Sequence, residues 1–347
     1  MSNHNTINQR NTSMDALRII AILMVILLHI VALNISSAEK KLEFTTNYWV
    51  SSFISAFCRT CVPLFIMISG RYLLNREETP KEFYTKRVQK IIGPLLFWTL
   101  VYTIYSQYLL YQEIGNIDLK IAVTNILSGQ PFYHMWFLYM ILGLYLITPL
   151  FNPIFRYATN LQLWVLCIIL FIAGLSFRTY FYVHPVEFNP FKWGDSLLYL
   201  GYFLVGYVLK AHKVRYSTLM LLLVFVICSL CVALFPYIAL TQYPISMVWI
   251  RDNTAPLIVI ASLSLYQLFN QSNVQNFTIL KYSPLVLGIY LIHAGILDIW
   301  YRFVLGTTIS SEENYWMYIS IAFPLITALS LFLIQGFSKI PLLRKVI

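Results

Sequence analysis

Stretches of close to twenty apolar residues recur from one end of the chain to the other, and this repeat constrains the fold more than any single motif. A run of that length crosses the ~30 Å hydrocarbon core of a bilayer as one helix. In lipid every backbone N–H and C=O has to be satisfied within the protein, so such runs fold as helices gathered in a bundle. The runs and their polar breaks place ten spans, at 15–36, 48–74, 91–110, 134–155, 161–182, 195–211, 216–238, 249–269, 284–304 and 315–337. Only 11% of the 347 residues are charged, where a soluble domain carries about 25%. The expected class is an all-α, polytopic transmembrane helical bundle forming a single domain over 1–347, with 1–13 as a short polar N-terminal tail.

Charge sets the orientation. With the N-terminus inside, sixteen of the 24 Lys and Arg fall on the cytoplasmic side, seven fall outside, and Arg59 lies within a span. This bias predicts that both termini are cytoplasmic. The apolar stretch behind Met1–Ser13 has no small-residue cleavage site after it and is expected to stay as the first span. The net charge of +10 therefore reports topology, and nucleic acid is not an expected partner. Two C-x-x-C pairs, Cys58/Cys61 and Cys228/Cys231, lie in apolar spans without His or acidic neighbours at ligand spacing. They read as small buried hydrophobes, and no metal is expected. A stretch over Asn116–Leu127 has helical apolar spacing and reads as an amphipathic helix at the outer interface.

The first span, Met14 to Val31, carries Arg18 near its start and His29 well inside. Eleven steps of ~100° bring both to one face, roughly 16 Å apart at ~1.5 Å per residue. Arg18 can pair with Asp15, three residues back, and either anchors the helix at the headgroups or serves a site. His29 lies past mid-membrane, either as a neutral histidine bonded to a neighbouring helix or as a general base for a hydroxyl. Arg59, just before Pro63 in the second span, is a buried charge that needs a partner or an anionic ligand. Lys86, Arg87 and Lys90 stand at the cytoplasmic mouth of the third span. They satisfy the positive-inside rule and equally suit a phosphate clamp. His134 and Trp136, in F-Y-H-M-W-F-L, fit an aromatic belt or a sugar-binding mouth. His293 is a second mid-membrane histidine, with Asp298 five residues on, whereas His184 and His212 lie in loops and carry little signal.

Taken in order, D-A-L-R-x10-H (Asp15–His29), V-P-L-F-I-M-I-S-G (Val62–Gly70), the basic pair before the third span, F-Y-H-M-W-F-L (Phe132–Leu138) and L-G-I-Y-L-I-H (Leu287–His293) resemble the acyltransferase-3 family of integral membrane acyltransferases. The resemblance covers nearly the whole chain. It implies an acyl-CoA-dependent O-acyltransferase in the plasma (inner) membrane of a bacterium. Such an enzyme moves an acyl group, usually acetyl from acetyl-CoA, to a hydroxyl of a cell-surface polysaccharide or lipid-linked glycan. It implies His29 as the catalytic histidine with Arg18 as its partner, and Arg87 with the residue three on as ligands of the coenzyme phosphates. Lys90 stands where the family has a second arginine, keeping the charge but losing the bidentate fork. Lys86 and Arg59 are grouped with these donor-binding cations, and His134, Trp136 and His293 with the acceptor. The donor is then a substrate, and no permanently bound cofactor is expected. A glycan exporter or proton-coupled transporter using Arg59, His29, His293 and Asp298 is the competing reading, weakened by the lack of an internal repeat.

Overall fold

The computed structural model describes residues 11–111, 118–183, 193–211, 214–242, 248–275, 277–302 and 315–347. Among them there is no strand, and the chain is a polytopic helical bundle. Helix α1 (Thr12–Lys41) starts on an Asn11 cap whose side chain accepts from the Met14 N–H, and it ends at Leu42 in the left-handed region. At ~1.5 Å per residue it is ~45 Å long, enough to span the bilayer and project beyond it. It packs against α2 (Thr46–Cys58), α3 (Cys61–Leu73), α11 (Pro256–Gln271), α12 (Val286–Trp300) and α13 (Tyr315–Lys339), so its apolar residues are buried on several faces. Both Arg18 and His29 therefore ride on the hub of the bundle.

The expected span at 48–74 is two helices, broken at Arg59–Thr60. Pro63 has no N–H to bond the carbonyl one turn back, and it sits in the first turn of α3, where a helix tolerates proline. Downstream, a capping box between Thr79 and Glu82 opens α4 (Pro80–Phe83). A π-helical turn over Tyr84–Val88 follows and leads into α5 (Gln89–Tyr111), so Lys86 and Arg87 lie on the π turn. Turns of this kind are frequent at functional sites. Part of the expected interfacial helix is present as α6 (Leu119–Leu127), capped by Asp118, with Leu119, Val123 and Leu127 exposed.

The remaining helices are α7 (Trp136–Tyr157), α8 (Asn160–Val183), α9 (Trp193–Ala211) and α10 (Thr218–Gln242). Among the described residues, eight helical stretches are long and apolar enough to cross a membrane. The other two expected spans are shorter: α9 is apolar from Tyr199, and α11 follows a 3-10 turn at Val248–Arg251. The tightest crossing joins α3 to α9. A Cβ on Gly70 would lie 1.7 Å from the Phe203 carbonyl oxygen, and one on Gly206 2.0 Å from that of Met67. Only glycine lets the two backbones meet.

Side-chain bonds define the two ends of the bundle. At one, Ser13 Oγ donates to Ser272 O at 2.7 Å, Arg71 to Asn270 at 2.6 Å, and Trp98 Nε1 to Val346 O at 2.9 Å. At the other, Arg251 pairs with Glu39 and Arg178 with Asp252 at 2.5 Å. Residues 11–18 and the C-terminal turn Leu343–Lys345 thus share the end that carries Lys86, Arg87 and Lys90.

Candidate active site

Three imidazoles, from α1, α12 and the turn before α7, converge at mid-bundle. Ser283 Oγ donates to Asp15 Oδ1 at 2.7 Å, which sets the start of α12 beside the start of α1 and brings His29 and His293 to one level. Their ring centroids are 5.4 Å apart, and His293 and His134 are 5.5 Å apart. His134 and His293 are buried, at 1% and 0% exposure, whereas His29 is partly exposed and has the Tyr133 ring 4.9 Å away. The Tyr290 hydroxyl donates to the His134 carbonyl, fixing the loop before α7 against α12.

The His293 tautomer follows from its contacts. Its Nδ1 lies 2.6 Å from the Tyr290 carbonyl oxygen, which can only accept, so Nδ1 carries the hydrogen. In the neutral ring Nε2 is then a bare acceptor, and it is buried without a hydrogen-bond partner.

Two cavities lie on either side of this layer. The first, about 340 Å³, has Arg18, Arg87 and Lys90 at one end and apolar walls that include Phe65, Pro94, Phe137 and Leu287. It reaches Tyr290, whose ring is 5.3 Å from His134 and 5.8 Å from His293. Arg18 is held by Asp15 at 3.3 Å and lies over the Tyr72 ring at 5.1 Å. The second, about 420 Å³, is lined by Ala32, Ile35, Ser36, Glu39 and Lys40 of α1, by Pro236 and Leu240 of α10, and by Arg59, Arg251 and Asp252. His29, Ala32 and Ser36 fall at i, i+3 and i+7, on one face of α1. Along that face His29 stands between the two cavities.

The profile of an acyltransferase family, described as an acyltransferase domain, matches residues 11–335. The chain belongs to the acyltransferase-3 family. It is also similar to the nodulation protein NolL of Sinorhizobium fredii, with 27% identity over 163 residues. That match takes in 46% of this chain and 40% of NolL, so it spans less than half of that relative's length. No solved structure matches the chain.

In this member of the family the structure regroups the residues singled out from the sequence. Arg18, Arg87 and Lys90 share one cavity. Lys86 does not line it: its ammonium faces Glu78 at 3.5 Å. Arg59, grouped above with the donor-binding cations, lines the second cavity, because the break at residues 59–60 ends α2 partway along α1. His134 is no surface mouth residue but part of the buried imidazole layer. Trp136 packs on Tyr199 at 5.8 Å instead of beside the histidines. The loop histidines His184 and His212 lie outside the described residues.

Three participants escaped the sequence reading. Glu78 lies 3.4 Å from Arg87 and 3.9 Å from Arg76 as well as facing Lys86, so one carboxylate holds much of the basic cluster. Tyr290, one helical turn before His293, carried a signal in its spacing alone. Tyr105 donates to Asp298 at 2.6 Å, and Arg302 closes on the same carboxylate at 2.7 Å, which takes Asp298 out of the imidazole layer.

Proposed function

We propose that this acyltransferase transfers an acyl group, acetyl in the first instance, from cytosolic acyl-CoA to a hydroxyl of a cell-surface polysaccharide or lipid-linked glycan. The observation that carries this reading is the pair of cavities meeting one face of α1 on opposite sides of His29. Arg18, Arg87 and Lys90 suit the phosphates of the donor, and the apolar walls beyond them suit its pantetheine arm. The excess of Lys and Arg at that end supports placing it, with both termini, in the bacterial cytoplasm. Within the family, F-Y-H-M-W-F and Y-L-I-H look most like the enterobacterial common antigen O-acetyltransferase, which favours acetyl as the group moved.

In the proposed reaction His29 takes the proton of the acceptor hydroxyl as its oxygen attacks the thioester carbonyl. A C–O bond forms, the C–S bond breaks, and the proton leaves on the coenzyme thiol. The bare Nε2 of His293 accepts a hydrogen bond from the charged His29 ring and holds it in place between the two half-steps. Purified protein in detergent is expected to hydrolyse labelled acetyl-CoA slowly and to pass the label to envelope glycan. An undiminished rate in His29→Ala, or export of unmodified glycan with no acyl donor, would overturn the reading.

A further inference from the structure

The second cavity holds charged groups of both signs, but they are not equally engaged. Glu39 is paired with Arg251, which also donates to Tyr48 Oη at 3.2 Å and to Ser52 Oγ at 2.9 Å. Asp252 is paired with Arg178 at 2.5 Å, and its second oxygen accepts from the Thr254 hydroxyl at 2.7 Å. Both carboxylates are thus already paired, Glu39 with Arg251 of the same cavity wall and Asp252 with Arg178 from outside it. Arg59 has only a long bond from Nε to Ser55 Oγ at 3.4 Å, and among the described residues no carboxylate lies within 4.0 Å of it. Its guanidinium faces a cavity inside a membrane-crossing segment, where Glu39 and Asp252 act on it only at longer range and each is already engaged by another arginine. A group in that position is stable only in contact with water or with an anion that arrives there.

Depth fixes what that anion belongs to. Thr60, next in the chain, places its hydroxyl 3.8 Å from Met24 Sδ, so the break after α2 meets α1 five residues, ~7.5 Å along the helix, before His29. From this floor the cavity rises past Ser36 to the exposed Lys40. Its polar lining suits a hydroxyl-rich molecule entering from the end opposite Arg87. From these contacts, and resting on the acyl-transfer reading above, we infer that the acceptor is an anionic saccharide whose carboxylate or phosphate is held by Arg59. The bound anion sets a neighbouring hydroxyl towards His29. Arg59 is then an acceptor-binding residue at the floor of the cavity, below Lys40 at its exposed end.

The test is equilibrium binding to the full-length protein in phosphatidylcholine nanodiscs. Three probes serve: tri-galacturonate, its methyl ester, and glucose 1-phosphate. The acid is expected to bind at least about tenfold more tightly than the ester, the size of one charge-assisted contact. Arg59→Gln removes the difference, and Arg59→Lys, which keeps the charge, retains part of it. Tighter binding of glucose 1-phosphate than of the acid assigns the anion as phosphate. Equal binding of acid and ester, failure of all three probes to bind, or a preference that survives Arg59→Gln overturns the inference. So does a fall in kcat that is the same for both saccharides with the preference intact, since Arg59 would then act on the transition state. Acetyl-CoA turnover by the wild-type protein reports separately. Turnover without acid preference defeats this inference alone, and preference without turnover defeats the acyl-transfer reading.

Discussion

The imidazoles of His29 and His293 face each other at 5.4 Å between centroids, tilted by 30°, one on the first helix and the other on the last but one. The partly exposed ring lies on the face of α1 that carries Arg18 of the first cavity and Ala32 of the second, and the buried ring backs it. This division of labour separates the roles of two residues that look alike in sequence.

His29→Ala removes the proposed base. Transfer and hydrolysis of acetyl-CoA are expected to fall by ~10²- to 10⁴-fold, the usual worth of a positioned general base. Release of free coenzyme thiol measures this directly, with protein abundance in the membrane checked in parallel.

For His293 two replacements distinguish orientation from packing. In His293→Asn the side-chain amide can still donate to the Tyr290 carbonyl but has no counterpart of Nε2. If the bare nitrogen matters, His293→Asn and His293→Ala both lower kcat about tenfold while KM for acetyl-CoA stays put, since only the transition state loses an interaction. A wild-type rate in His293→Asn reduces the ring to a spacer.

At the donor end, Lys90→Ala is expected to raise KM for acetyl-CoA by about tenfold with little change in kcat, because ground-state binding is what it removes. Lys90→Arg lowers KM by restoring a planar fork. Glu78→Gln lowers it too, by freeing Arg87 from the carboxylate 3.4 Å away. Steady-state kinetics on the three variants decide the matter, and an unmoved KM throughout refutes the phosphate clamp.

The α3–α9 crossing gives a stability prediction with its own control. Gly70→Ala forces a methyl into the Phe203 carbonyl, so the helices must part. A loss of ~3 kcal/mol or more is expected, at or above the upper end for overpacking. Gly336 in α13 has no atom within 4 Å of its would-be Cβ. Gly336→Ala is therefore expected to stabilise by ~0.5–1 kcal/mol. Thermal unfolding in one detergent compares the pair, and equal effects would remove the tight crossing.

Much of the fold was legible because hydropathy reports on lipid directly: all ten expected spans have helices in the expected order. Periodicity also placed Arg18 and His29 on one face of α1, since spacing along a single helix is a local property. What was not legible depends on contacts between helices. The break at Arg59 moves that cation from the donor group to the far cavity, and hydropathy does not register a change of helix direction. Glu78 lies eight or nine residues from the cations it engages, across a capping box and a π turn that apolar spacing does not encode. His134 read as belt or mouth because its neighbours are aromatic; its burial comes from α12 closing over it.

The layer of His134, His293 and Tyr290 closes the inner end of the first cavity and is packed without exposed polar atoms on the buried rings. The same side chains that face the chemistry therefore also act as an electrical insulator. Replacing Tyr290 with a small residue would open the first cavity onto His134 and His293 and let water into a layer that now excludes it.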